Sequence, residues 1–170
     1  MEYLLDHDDW QLAKRLAKQR DSTKAATCHN GRVSREESEK RHLRGLAGEI
    51  AFARCFGFDV DDEQRPDGDP GYDFVPPCGA TIDVKTRAEA GKDFALTGDD
   101  LGDFDAHCGV LVWPVPDGAA MRLVGWTTPT HLLWKGKRTN WGSVGRKWWV
   151  DCEDLLPIDI LYNRLAQTDE

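Results

Sequence analysis

The sequence predicts an α/β protein in which a central mixed β-sheet is flanked by helices, and three observations carry that expectation. Helical periodicity opens the chain and returns, behind a capping box, over residues 34–56. Short β-branched and aromatic runs separated by Pro- and Gly-bearing turns follow between residues 72 and 127. Further helical segments close the chain. Helices on either side of a block of strands bury their apolar stripes most readily against one sheet.

Residues 3–20 place Leu4, Leu5, Trp10, Ala13, Leu16 and Ala17 at helical spacing, with Lys14, Arg15, Lys18 and Arg20 on the polar side, so a helix with a basic face is expected. Residues 21–33 are polar, contain Asn30-Gly31 and read as a loop. Ser34 and Glu37 form a capping box that opens a helix to Phe56, stopped at Gly57. Leu43, Leu46, Ala47, Ile50, Ala51 and Ala53 give that helix its core-facing stripe, and Glu49 lies beside it. After an irregular stretch over 58–71, residues 72–75 and 80–86 read as a hairpin turning at 76–79. Residues 88–107 are polar, with a short edge strand at 94–96, and form the candidate mobile loop. Strands are expected at 109–115 and 121–127 around a turn at 116–119. Thr128 and Pro129 have the character of an N-cap and first helical residue for a helix to about Trp134. A basic, Gly-bearing loop over 135–147, a last strand at 148–150 and a helix at 158–166 complete the chain.

With 170 residues, one domain with one core is expected. No apolar run approaches the roughly 20 residues of a membrane span and no signal-peptide pattern opens the chain, so a cytoplasmic protein with no membrane partner is expected. Five scattered cysteines without a C-x-x-C pair indicate neither a disulfide framework nor a zinc ribbon. The net charge of −8 argues at first against a nucleic-acid partner. The distribution of that charge points the other way: residues 59–105 hold 14 acidic against 4 basic residues, and the remainder of the chain is net +2. An acidic middle between basic flanks suits a cation site between phosphate-contacting surfaces, although solvated loops are the commoner cause of acidic runs.

Within that middle, Asp73, Asp83 and Lys85 interrupt runs whose neighbours Tyr72, Phe74, Val75, Ile82 and Val84 read as buried strand, where an unpaired charge is costly. Strand side chains alternate, so Asp83 and Lys85 share a face about 7 Å apart, and Asp73 can come alongside Asp83 from the preceding hairpin strand. Carboxylates brought together raise one another's pKa, and a hard divalent cation is a common partner for such a pair. An ammonium beside them can orient metal-held water, favour its hydroxide form or steady charge on a phosphate under attack. Glu49, from a helix packed on the sheet, can add a third carboxylate. The plain alternative is a salt bridge between Asp83 and Lys85 on an exposed edge strand, with Glu49 solvated.

The order Glu49, Asp73 in 71-GYDF-74, then 83-DVK-85 resembles the PD-(D/E)XK nuclease superfamily, in which a helix glutamate precedes an aspartate and a D/E-x-K strand. The match covers residues 42–87. The stretch 45-GLAGEIAFARCFG-57 is similar to the glutamate helix of small phage- and prophage-encoded members, and 121-MRLVGWTTPTHLL-133 resembles the strand and helix that follow the core there. Tyr72 stands before Asp73 where the pattern has proline, but the ligand itself is kept. The resemblance implies a restriction-endonuclease-like core and a Mg2+-dependent deoxyribonuclease, endo or exo, with Mn2+ substituting. It implies Asp73 and Asp83 as direct metal ligands, the Val84 carbonyl as a further ligand, Glu49 as an accessory ligand and Lys85 as the residue acting on water. DNA is the expected partner, with RNA or branched DNA as options, homodimerisation as a route to cutting two strands, and a host cytoplasm as the location if the chain is virus-encoded. A D-x-K string alone occurs often by chance, and its weight comes from the strand, the earlier aspartate and the capped helix around it. The chain then divides into a helical extension and loop over 1–33, a catalytic core over 34–127, and C-terminal helices with a basic loop over 128–170.

Arg87 continues the Asp83–Lys85 face and can meet a phosphate, or be a surface arginine. Lys135, Lys137 and Arg138, with Arg146 and Lys147, are interleaved with Trp134, Trp141, Trp148 and Trp149, which joins phosphate-neutralising charge to stacking surface. His29 beside Cys28 and His107 beside Cys108 fit no zinc spacing, and His42 precedes Glu49 by two turns. Two other function classes remain open: a non-catalytic nucleic-acid-binding module on the same scaffold, and a metal-independent protein-interaction domain favoured by the acidic balance.

Overall fold

The computed structural model describes residues 1–25, 35–60, 71–90, 94–96, 107–116, 119–140 and 146–166. In chain order the elements are β1 (Glu2–Leu4), α1 (His7–Ala25), α2 (Arg35–Phe56), β2 (Ile82–Thr86), β3 (Phe94–Leu96), β4 (Cys108–Pro114), β5 (Ala120–Thr127), α3 (Pro129–Lys135), β6 (Lys137–Asn140), β7 (Arg146–Val150) and α4 (Ile158–Ala166). The class is α/β, as expected, but among the described residues the strands form two sheets and not one. A mixed sheet runs β1-β5-β4-β2, with β5 antiparallel to both neighbours and β2 parallel to β4. An antiparallel sheet runs β3-β7-β6.

The expected first helix begins four residues later than its periodicity suggested, because Tyr3 and Leu4 pair with Met121 and Ala120 as a strand. A reciprocal cap then starts α1: the Asp9 N–H donates to Asp6 Oδ1 at 2.8 Å, and the Asp6 N–H reaches Asp9 Oδ2 at 3.4 Å. Asp9 is buried, and it also accepts from Arg54 Nε at 3.0 Å and from the Tyr3 hydroxyl at 3.1 Å. Desolvation, followed by the Asp9 contact, pushes the Tyr3 hydroxyl pKa up, and the hydrogen bond to Asp9 raises that of Arg54. One carboxylate thus ties β1, α1 and α2 together.

Helix α2 buries Leu46, Ala47, Ile50, Ala51, Phe52 and Ala53 against a core that includes Ile82, Val84, Val110, Val112 and Leu123. It ends at Gly57, whose φ of 75° only glycine adopts readily, so that the Phe58 N–H can turn back to the Ala53 carbonyl at 2.9 Å. The expected cap at Ser34 lies outside the described residues. At the C-terminal end Phe52 packs on Phe56, Phe58 and Phe74, and Tyr162 of α4 closes on Phe56 with ring centroids 5.4 Å apart. In its middle α2 comes close to β2: a Cβ on Gly48 would overlap Thr86 Oγ1, and the Thr86 hydroxyl donates to the Gly45 carbonyl at 3.5 Å.

The expected hairpin over 72–86 is reduced to one bridge, Phe74 against Ile82. Their backbones exchange bonds of 3.1 and 2.9 Å, and the Asp73 N–H also reaches the Ile82 carbonyl at 2.8 Å. The ladder stops there because Pro76 and Pro77 have no N–H to continue it. The expected basic loop is also corrected: residues 137–140 and 146–147 are strand, and residues 141–145 lie outside the described part. Arg138 opposite Trp148 and Lys137 opposite Trp149 are cross-strand pairs, and such pairs stabilise a sheet that periodicity alone does not reveal. The edge strand at 94–96 is present and pairs with β7. Thr128 caps α3, accepting from the His131 N–H at 3.1 Å, and Leu132 meets Leu111 and Val150 in a smaller second core. No helix among the described residues is long and apolar enough to cross a membrane.

Gly48→Ala is expected to destabilise the fold by about 1 to 3 kcal/mol through overpacking on Thr86. Thermal unfolding should show part of that loss recovered when Thr86→Ala is added. An unchanged midpoint for Gly48→Ala would mean that α2 has room to spare over β2.

Candidate functional site

Strand β2 is the outer strand of the mixed sheet, and alternation sends Ile82, Val84 and Thr86 to the α2 side and Asp83 and Lys85 to the other. Asp83 is only 7% exposed, and Lys85 Nζ stands 2.7 Å from its Oδ1. The salt bridge of the plain alternative therefore exists, but on a buried acid. On the edge facing away from β4, the Val84 N–H donates to Asp73 Oδ2 at 2.6 Å. An extended residue sends its N–H and C=O to the same side of the strand, so the Val84 carbonyl opens on that same edge.

Glu49 follows Gly48 directly, so the close approach of α2 to β2 also sets its position. It is 8% exposed and not solvated. Arg20 of α1 holds it as a fork, Nη1 to Oε1 at 3.2 Å and Nη2 to Oε2 at 3.1 Å. Sequence reasoning left Arg20 on a polar face. A signal was present: Ala13, Leu16 and Ala17 are buried, and Arg20 extends that stripe by one more helical step toward α2.

Asp73 joins the two. Burial, then the charges of Glu49 and Asp83, push its carboxyl from 3.8 up to about 8, against the opposing pull of the Val84 N–H and Lys85. Glu49 and Asp83 therefore both act on Asp73, and Lys85 opposes them. As the side chains stand, no group of three His, Cys, Asp or Glu among the described residues is disposed to hold a metal ion. Glu49 is turned to Arg20, Asp83 to Lys85 and Asp73 to a backbone N–H. The donor set nevertheless fits a hard cation: carboxylate oxygens and a carbonyl, with one carboxyl pushed up to about 8 by burial first and then by the charges of Glu49 and Asp83. Asp73, Asp83, Glu49 and the Val84 carbonyl are the groups that would hold Mg2+ or Mn2+.

The remaining expected residues divide between two places. Arg87, half-buried just beyond β2, continues the Asp83–Lys85 face and anchors its own N–H on the Val112 carbonyl at 3.0 Å. Lys135, Lys137 and Arg138 belong to α3 and the second sheet, not to the sheet that carries Asp83. Lys135 lies 4.9 Å from the Trp134 ring centroid, Lys137 5.8 Å from Trp149, and Arg138 5.7 Å from Trp148. Lys135 and Lys137 also meet Asp154 at 3.8 Å and Asp151 at 2.5 Å. The side chains of Arg146 and Lys147, and all of Trp141, Cys28 and His29, lie outside the described part. His107 is locked to Thr81, Nδ1 to Oγ1 at 2.8 Å and its N–H to Oγ1 at 3.0 Å, a structural role. Burial pushes the Cys108 thiol up to about 12, which makes it a poor nucleophile. His42 sits half-buried on α2. No protein-family model matches the chain, and no curated protein matches it.

The Asp73 shift has a sign. A carboxyl whose folded pKa is raised adds stability below the unfolded value near 4, and that stability is lost as the pH rises through about 8. With a chelator present, Asp73→Asn should raise Tm at pH 9, by about 2 to 4 °C per kcal/mol recovered, and give a much smaller difference at pH 5. Equal differences at the two pH values would show that Asp73 is not held protonated by its surroundings.

Proposed function

We propose that the protein is a metal-dependent nuclease that hydrolyses DNA phosphodiester bonds on a restriction-endonuclease-like core. One observation carries the reading: Asp73, Asp83 and Glu49 share one field at the outer edge of β2 with Lys85 beside them, in the chain order of the PD-(D/E)XK pattern. With Arg20 on Glu49 and Lys85 on Asp83, the cluster has no net positive charge to offer a phosphodiester until a divalent cation is bound. Bound Mg2+ or Mn2+ would polarise a phosphate oxygen and acidify a water.

The chain's own residues supply the rest. Asp73 is fixed by the Val84 N–H, so its second oxygen is pre-aimed with little side-chain freedom left to lose. Lys85 Nζ, held 2.7 Å from Asp83 and 41% exposed, can orient the attacking water or meet the charge that builds on phosphorus. Arg87 on the same face is a phosphate contact. Lys135 at the end of α3, with Lys137 and Arg138 on the second sheet, would follow the backbone further from the cut.

Supercoiled and linear DNA should be cleaved with Mg2+ or Mn2+, and EDTA should stop the reaction. Lys85→Ala should lower the rate about 100-fold or more. Absence of cleavage by the wild type on single-stranded, double-stranded and branched DNA alike would end this reading. A second reading, a non-catalytic nucleic-acid-binding module, is favoured by the ion pairs that already balance Glu49 and Asp83 without metal. It calls for DNA binding that survives EDTA and Asp83→Asn.

A further inference from the structure

The carboxylate cluster is served by two cations of different origin. Lys85 lies two residues from Asp83 on the same strand, and its pairing follows from local geometry. Arg20 comes from α1, 29 residues before Glu49, and meets it with both guanidinium nitrogens. The two cationic side chains are 43% and 41% exposed, while the acids they hold are 11% and 10% exposed, so each cation is more open to a polyanion from solvent than the acid it holds.

The charges of the cluster give Arg20 a second use. Three carboxyl groups against two cationic side chains leave one negative charge over when all are ionised. A divalent ion would turn that excess into a single positive charge, the complement of one phosphodiester. Without Arg20 the loaded cluster would be neutral, leaving Arg87, beyond the end of β2, to balance a phosphodiester. The Arg20 fork that matches a carboxylate also matches two oxygens of a phosphate.

We propose that Arg20 is a substrate-binding residue of this site, which holds Glu49 in the metal-free protein, releases it to the incoming divalent ion, and then takes an oxygen of the bound phosphodiester. The proposal rests on the nuclease reading. It gives α1 a role beyond packing, as the element that carries a phosphate ligand to the outer edge of β2. It also predicts opposite signs for two affinities, which the loss of a merely structural ion pair would not produce.

Arg20→Gln removes a cation that competes for Glu49, so Mn2+ should bind about 3- to 10-fold more tightly by calorimetry. The same variant should bind a labelled DNA oligonucleotide about 10-fold more weakly in Ca2+, read by fluorescence anisotropy. Arg20→Lys should restore most of the charge effect and less of the DNA affinity. Glu49→Gln provides an independent arm that leaves α1 intact: with Arg20 no longer held by a carboxylate, DNA binding in EDTA should strengthen. Unchanged Mn2+ and DNA affinities in Arg20→Gln, or a loss of both, overturn the proposal, as does a Glu49→Gln protein that binds DNA no better without metal. If Arg20→Gln does not fold, the Glu49→Gln result alone decides. Wild-type protein that binds neither Mn2+ nor DNA overturns the nuclease reading itself, an outcome visible before any variant is made.

Discussion

The approach of α2 to β2 at Gly48 is the constraint on which the rest of the site depends. With no side chain at that position the helix settles onto Thr86, whose hydroxyl reaches the Gly45 carbonyl one turn away. Glu49 is the next residue, so its place beside the strand follows from the missing Cβ at 48. Burial of Leu46, Ile50 and Phe52 on the same helix supplies the force that holds it there. A larger residue at 48 would lift the helix and carry the glutamate away from Asp73 and Asp83.

The second organising fact is how negative charge is tolerated at the edge of a sheet. An outer strand offers unpaired N–H and C=O groups, which invite association with another chain. Here the Phe74 bridge takes both groups of Ile82, and the Asp73 carboxyl accepts the N–H of Val84. The residues that protect the edge are therefore the residues that build the site. Burial makes the three carboxyl groups costly together, and Arg20, Lys85 and a proton on Asp73 offset that cost in the metal-free protein.

Around this centre the chain divides its work between two sheets. The mixed sheet carries the acids and is closed at its far edge by β1, which the Asp9 carboxylate ties to α1 and α2 through Tyr3 and Arg54. The antiparallel sheet carries the cation–indole pairs of Lys137 with Trp149 and Arg138 with Trp148. Trp126 links the mixed sheet to the C-terminus: its backbone pairs with Leu156 and its indole N–H donates to the Pro157 carbonyl at 3.0 Å, which seats α4.

Periodicity and punctuation by themselves determined the α/β class and the extent of several elements. Gly57 marks the end of α2, Thr128 and Pro129 start α3, and residues 158–166 form α4, because caps and apolar stripes act through neighbours a few residues apart. Asp73, Asp83 and Lys85 stood out for a related reason, as charged residues inside apolar runs, and Glu49 was added to them from its place beside the apolar stripe of α2 and from the resemblance. Contacts distant in sequence were not legible. Tyr3 and Leu4 become strand only because β5, more than a hundred residues later, offers an edge, and β6 and the tryptophan-bearing β7 need each other before either is extended. The full hairpin expected to bring Asp73 to β2 is instead one backbone bridge and one N–H. Arg20 belongs with these in part: the stripe of Ala13, Leu16 and Ala17 directs it toward α2, but that it reaches Glu49 is decided by the angle at which α1 lies on α2.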